Sequence, residues 1–270
     1  MNKQGIIDIH THVYPEKLAA RAVTSISDFY ELPIDAGAGT VEDLVAIDQA
    51  AGVTFSVVFS TATRIQQVES INRFMAECQQ HPSLVAFGSM HPDMTAREID
   101  ETLELIMGND LRGIKMHPDF QEVNADSPFM QELCHQLRGQ LPLMLHAGDP
   151  RFDFSHPRRI RHLAEQFPET TIIAAHFGGW SKWPEAIKEL SGLPNILVDT
   201  SSSIPFMSEQ EVYQLISAFG IERILFGSDY PMWRPDQEIA LIRALQLTDA
   251  EKHAIFWANS ARLLGLDSGN

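Results

Sequence analysis

The sequence is poor in positive charge. Its 270 residues carry 20 Lys and Arg against 36 Asp and Glu, a formal net charge of −16. That balance disfavours a nucleic-acid-binding surface and an anionic membrane as partners, and it favours solubility. Cysteine is scarce too. Cys78 and Cys134 are the only two, and no CxxC pair occurs. This excludes a disulfide framework and leaves reduced, buried thiols as the simple reading. Long apolar runs are missing. Nothing reaches the ~18 residues of a membrane-spanning helix. The N-terminal MNKQGIID lacks the apolar core of a signal peptide, so a cytoplasmic location is expected. A Gly-rich turn is also absent after the first apolar run, where the chain reads HTHVYPEK. A dinucleotide-binding sheet would want glycines there.

What is present is alternation. Hydrophobic residues make up 44 % of the chain, enough for a large core. Eight short runs rich in Ile, Val, Leu and Phe recur: IIDIH, FSVVFST, LVAFGSM, LRGIKMH, LPLMLHAG, TIIAAHFGG, NILVDTS and RILFGSDYP. Each has the length of a buried strand. Amphipathic stretches of helical period lie between them, at 41–52, 68–81, 97–108 and 127–139. TDAE at 248–251 reads as a capping box for a last helix running to Leu264. Eight buried strands alternating with helices imply a parallel sheet, and eight also closes a barrel. The expectation is one α/β domain over 1–270, a (β/α)8 TIM barrel. An open doubly wound sheet is the alternative. Residues 14–40 are too long for a simple βα loop, and are expected to form a lid-like insertion after the first strand.

In such a barrel the active site lies at the C-terminal ends of the strands. The first strand ends in His10 and His12, the fourth in Lys115 and His117, and the fifth in His146. The sixth ends in His176, the seventh in Asp199 and the eighth in Asp229. With a period of two, His10 and His12 share one face with Asp8, and Lys115 shares one with His117. One such histidine would read as a hydrogen-bonded core residue. Five of them converging with Asp229 would be a costly buried polar cluster without a partner that satisfies it. A divalent ion is such a partner, and imidazole with carboxylate suits Zn²⁺, Mn²⁺ or Fe²⁺.

Taken in order, DIHTH, RGIKMHP, LMLHAGD, FPETTIIAAHFGG, ILFGSDYP and ANSARLLGL resemble the amidohydrolase superfamily. Within it they resemble the amidohydrolase-related branch that holds aminocarboxymuconate semialdehyde decarboxylase, resorcylate decarboxylase, lactonases and hydratases. The resemblance spans nearly the whole chain. It implies that His10, His12, His146 and Asp229 ligate one catalytic ion, Zn²⁺ foremost. It implies that His176 moves protons or activates water beside it, and that Asp229 shuttles a proton as well. Such an ion lowers the pKa of a bound water towards neutrality, and an imidazole titrates near pH 7.

Lys115 admits three readings. It is a carboxylated bridge to a second metal, a free ammonium for a substrate carboxylate, or half of a buried ion pair. Arg151, Trp233 and Arg234 are candidate substrate-binding residues; Arg158, Trp180 and Tyr230 lie in the same loops. Arginine suits a carboxylate because its fork binds both oxygens. Asp8 reads as a strand-base residue and Asp199 as one that orients a ligand or the lid. Asn259 reads as a helix-to-barrel hydrogen-bonding residue.

The leading expectation is a metal-dependent hydrolase of a small lactone, cyclic amide or similar carbonyl compound. The alternative is a non-oxidative decarboxylase of an aromatic or unsaturated carboxylic acid. A DNase of the TatD type also begins with HxH, but has a glutamate where this chain has Lys115, and net charge −16 fits it poorly. A non-catalytic metal-binding barrel is a further reading, which the completeness of the ligand set disfavours. The expected partner is a small molecule, with neither nucleic acid nor membrane; homodimerisation is left open.

Overall fold

The computed structural model describes residues 5–266. Eight barrel strands occur in the expected order. They are Ile7–His12, Phe55–Phe59, Leu84–Ala86 continued by Gly88–Ser89, Ile114–Met116, Leu143–Leu145, Ile172–Ala174, Ile196–Asp199 and Ile224–Leu225. Every pairing between neighbours is parallel. The third strand breaks at Phe87, whose ring lies where a side chain at 113 would go. A Cβ on Gly113 would meet it at 2.6 Å. Backbone bonds carry the sheet across the break, from Phe87 N to Val58 O and from Gly88 N to Gly113 O. The circle closes between the eighth strand and the first. Ile9 N donates to Phe226 O, His12 N to Tyr230 O and Asp229 N to His10 O, at 2.7–2.8 Å. The α/β barrel is therefore complete, and the open-sheet alternative falls away.

The helices start where capping chemistry places them. Thr95, Ser208 and Thr248 each open a capping box with Glu98, Glu211 and Glu251, which satisfies backbone donors left free at the first turn. The last helix does run to Leu264, but its middle, Ala254–Ala258, is a π turn. Such a turn releases backbone groups from the regular helical ladder. Phe226 N of the closing strand donates to Ile255 O at 3.0 Å, which ties this turn to the barrel. Asn259 Nδ2 donates to Ile221 O and Ile224 O at 2.7 and 2.8 Å, the expected helix-to-barrel link. Cys78 and Cys134 are free and buried.

The insertion begins with a helix over Glu16–Tyr30. Beyond it the chain is pinned by Tyr230. The Tyr230 hydroxyl donates to Asp43 Oδ2 at 2.6 Å and accepts from Gly39 N at 3.0 Å. Its ring leaves no room for a side chain at Gly37, where a Cβ would approach to 2.1 Å. Tyr230 is thus committed to packing. Among the described residues no helix is long and apolar enough to cross a membrane.

Candidate metal centre

His10 and His12 project from the end of the first strand towards Asp229, which follows the eighth. His10 Nε2 lies 3.3 Å from Asp229 Oδ1, and His12 Nε2 lies 3.2 Å from the same oxygen. All three residues are buried. Asp229 sits at φ 64°, a strained backbone for a non-glycine residue, and Asp229 N is the donor to His10 O. The closing strand thus fixes carboxylate and imidazole to one another. The second oxygen, Oδ2, accepts from Ser202 Oγ, which in turn accepts from Trp233 Nε1 at 2.8 Å. Burial pushes the Asp229 carboxyl up, but the imidazoles of His10, His176 and His12 outweigh it. The carboxyl is held below its usual range.

The far side of His10 is equally committed. Its Nδ1 lies 2.9 Å from Asp199 Oδ2 and 3.1 Å from Ser201 Oγ. A carboxylate beside Nδ1 puts the hydrogen there and leaves Nε2 with its lone pair facing Asp229. Burial, followed by the charge of Lys115, lowers the His10 pKa well below its ordinary value. Burial likewise lowers that of His12. Both rings are therefore neutral bases near pH 7, the form a metal ligand needs. The donor set fits a divalent ion: two imidazole nitrogens and one carboxylate oxygen, converging and sheltered from water.

His176 and His146 form a second pair. His176 Nε2 lies 3.0 Å from His146 Nδ1, and His176 Nδ1 lies 2.9 Å from Ser201 Oγ. Ser201 also donates to Asp199 Oδ1, so one serine joins the His10 and His176 rings. His176, His10 and Asp199 make a second convergent donor group. His146 belongs to neither triad. Its Nε2 points at Gly148 O, 2.9 Å away, and towards Asp119 Oδ2 at 3.7 Å.

Lys115 is fully buried, with Nζ 3.3 Å from His10 Nε2 and 4.7 Å from the centre of the Phe59 ring. No carboxylate among the described residues lies within 4.0 Å of it, which removes the buried ion pair from its three readings. Burial lowers its pKa to about 8, against the opposing pull of Asp199 and Asp229.

One cavity gathers most of these groups. His10, His12, Lys115, His146, His176 and Asp229 line it. The rest of the wall is largely aromatic and apolar, with Tyr30, Phe120, Trp180, Phe206 and Trp233 supplying rings. Of the candidate substrate-binding residues, Trp233 is in this wall and the two arginines are not. Arg151 is held in a fork by Asp149, and also donates to Phe29 O in the insertion helix. Arg234 pairs with Asp236, and Arg158 with Asp153. Asp8 lies outside the cavity too, accepting from the backbone of His10 and Ser228.

Ser201, Ser202, Asp119 and Tyr30 were not singled out from sequence. Ser201 was accessible in principle, since two residues beyond Asp199 repeats its face. Tyr30 had no such signal, because its position depends on how the insertion folds back.

This fold and its convergent donors define an α/β-barrel enzyme with a candidate His/Asp metal site. The chain belongs to the amidohydrolase family, whose model matches residues 7–266. No curated protein matches it by sequence. Among solved structures it is similar to an uncharacterized TIM-barrel protein from Bordetella bronchiseptica, with TM-score 0.81, 19 % identity, and 97 % and 99 % of the two chains covered. It is similar to 2,6-dihydroxybenzoate decarboxylase from Rhizobium, with TM-score 0.74, 18 % identity, and 98 % and 100 % covered. It is also similar to a dihydroxybenzoic acid decarboxylase from Polaromonas, solved with bound manganese and the inhibitor 2-nitroresorcinol. There the TM-score is 0.74 with 17 % identity, and 98 % of each chain is covered.

Proposed function

We propose that the protein is a metal-dependent, non-oxidative decarboxylase of an aromatic carboxylic acid. The observation that carries this reading is a buried lysine ammonium without a carboxylate partner, beside the His10–His12–Asp229 donors, in a cavity walled by aromatic rings. Positive charge at one end and flat apolar walls around it suit an aromatic acid. The similarity to two decarboxylases of hydroxylated benzoic acids supports the same choice. It favours decarboxylation over the hydrolysis of a lactone or cyclic amide that headed the sequence expectations.

His10, His12 and Asp229 would hold one divalent ion, Zn²⁺ or Mn²⁺, with His146 reaching it by turning from His176. When bound, the ion supplies positive charge that holds a carboxylate and stabilises the electrons released towards the ring. Lys115 adds its ammonium to the same end. The bond between ring carbon and carboxylate breaks, CO₂ leaves, and the electron pair stays on the carbon until a proton reaches it. His176 would deliver that proton, and the ionised Asp229 carboxylate would take up a proton and pass it on rather than hold one. Residues 14–40 act as a lid over the reaction within one domain, excluding water.

The test is direct. Protein loaded with Mn²⁺ or Zn²⁺ is incubated with mono- and dihydroxybenzoates and with a lactone panel, and CO₂ and acid release are followed. CO₂ from a hydroxybenzoate is expected. Acid from a lactone, with no CO₂ from any benzoate, returns the assignment to a hydrolase.

A further inference from the structure

We infer that Tyr30 and His117 form a neutral hydrogen-bond donor pair that selects aromatic acids carrying an oxygen substituent, hydroxyl or alkoxyl, on the ring edge remote from the carboxylate. The place of the carboxylate rests on the decarboxylase reading; the donor pair itself does not.

The inference comes from counting hydrogens. Phe120 N donates to His117 Nδ1 at 3.2 Å, so that nitrogen carries no hydrogen. In a neutral imidazole the hydrogen then sits on Nε2. Nε2 lies 3.0 Å from the Tyr30 hydroxyl oxygen, so the imidazole donates and the phenol oxygen accepts. The phenol's own hydrogen is left over, and no acceptor among the described residues takes it. The half-buried hydroxyl lines the cavity with no protein acceptor for this hydrogen, which leaves it free to donate to a ligand oxygen. Burial, with the charge of Asp229, keeps Tyr30 protonated.

The pair is held in place. The His117 ring is stacked on Phe120 at 3.6 Å, nearly parallel to it, and its Nδ1 is tied to Phe120 N. The Tyr30 ring meets Trp180 edge-on at 5.4 Å. The barrel order sets the direction. His117 follows the fourth strand, while His10, His12 and Asp229 belong to the first and eighth, on the opposite wall. A ring whose carboxylate sits among those three presents its far edge to Tyr30.

Calorimetric titration of the manganese-loaded protein with benzoate and with the 2-, 3- and 4-hydroxy, methoxy and methyl derivatives tests this. The 3- or the 4-hydroxybenzoate should bind about tenfold more tightly than benzoate, the size of one good hydrogen bond, and a gain confined to the 2-hydroxy acid, whose oxygen lies beside the carboxylate, overturns the inference. The methoxy compound of that position should share the gain, because it too accepts, and the methyl compound should not. Tyr30→Phe should bring the favoured acid down to the level of benzoate and leave benzoate within about twofold. The inference is overturned if wild type shows no such preference, if the methyl compound gains equally, or if Tyr30→Phe weakens benzoate as much. Should the variant fold poorly, the methoxy-against-methyl comparison on wild type still decides. Selective binding without CO₂ release removes the decarboxylase reading alone, and CO₂ release without selectivity removes this inference alone.

Discussion

Asp199 holds His10 and His176 at once. Its Oδ2 lies 2.9 Å from His10 Nδ1, while its Oδ1 accepts from His176 N at 3.1 Å. A carboxylate in that position fixes the imidazole tautomer and so the direction of the Nε2 lone pair. Asp199→Asn keeps the shape but offers an amide N–H to Nδ1, which moves the imidazole hydrogen to Nε2. Metal affinity should fall by about 10–100-fold, the usual cost of losing such support. Titration of the stripped protein with Mn²⁺, followed by electron paramagnetic resonance, measures it. Unchanged affinity in a folded variant would show that Asp199 does not control the tautomer.

His176 faces its partners without joining the His10–His12–Asp229 group. His176→Ala should therefore leave metal content near that of wild type and lower turnover by about 100-fold or more, the range of general acid–base catalysis. Metal analysis by mass spectrometry and initial rates separate the two effects. Loss of metal in both this variant and Lys115→Ala would instead favour two ions bridged by a carboxylated lysine.

Glu238 is buried on the helix Pro235–Ala244, with Oε2 lacking a hydrogen-bond partner. Burial, then the charges of Asp8 and Asp229, push its pKa up to about 8 from 4.5. The folded protein therefore binds the extra proton between those two values. Its contribution is fully present below pH 4.5 and is lost as pH rises through 8. Glu238→Gln should melt like wild type near pH 4.5 and above it at pH 8, by about 2–4 °C for each kcal/mol recovered. Melting curves of metal-free protein across this range provide the check, and a pH-independent difference between the two proteins would contradict it.

Much of the barrel was legible because its rules are local. Period-two alternation placed Lys115 and His117 in the cavity, helical period found the helices at Val41–Ala51, Ala96–Gly108 and Pro128–Leu137 to within a residue or two, and the TDAE capping box placed a helix start at Asp249. The convergence of His10, His12 and Asp229 follows from closing the first strand onto the eighth, which the count of eight foretold. What was not legible depends on side chains reaching across the fold. His146 turns to His176 because Gly148 O and His176 Nε2 bracket its ring. Tyr230, read as a loop residue near the site, faces away to Asp43. No spacing rule reports either choice.

Arg151 shows the same point and leads to the last prediction. Its fork suggested a carboxylate of the substrate, but the carboxylate it holds is Asp149, two residues away. The guanidinium also donates to Phe29 O and lies 4.5 Å over the Phe29 ring and 5.5 Å from the Tyr30 ring. It therefore fastens the end of the Glu16–Tyr30 helix to the loop after the fifth strand. The hydrogen bond and the stacking are each worth roughly 1 kcal/mol, enough to shift a surface element between docked and loose. Arg151→Ala should leave metal affinity unchanged, because no metal donor touches it. It should raise backbone hydrogen exchange over residues 16–32 and weaken binding of an aromatic acid by about tenfold. Arg151→Lys keeps the charge but loses the fork, and should behave like the alanine variant. If exchange in the helix is unchanged while ligand binding still falls, Arg151 acts on the ligand directly, as its position in the sequence first suggested.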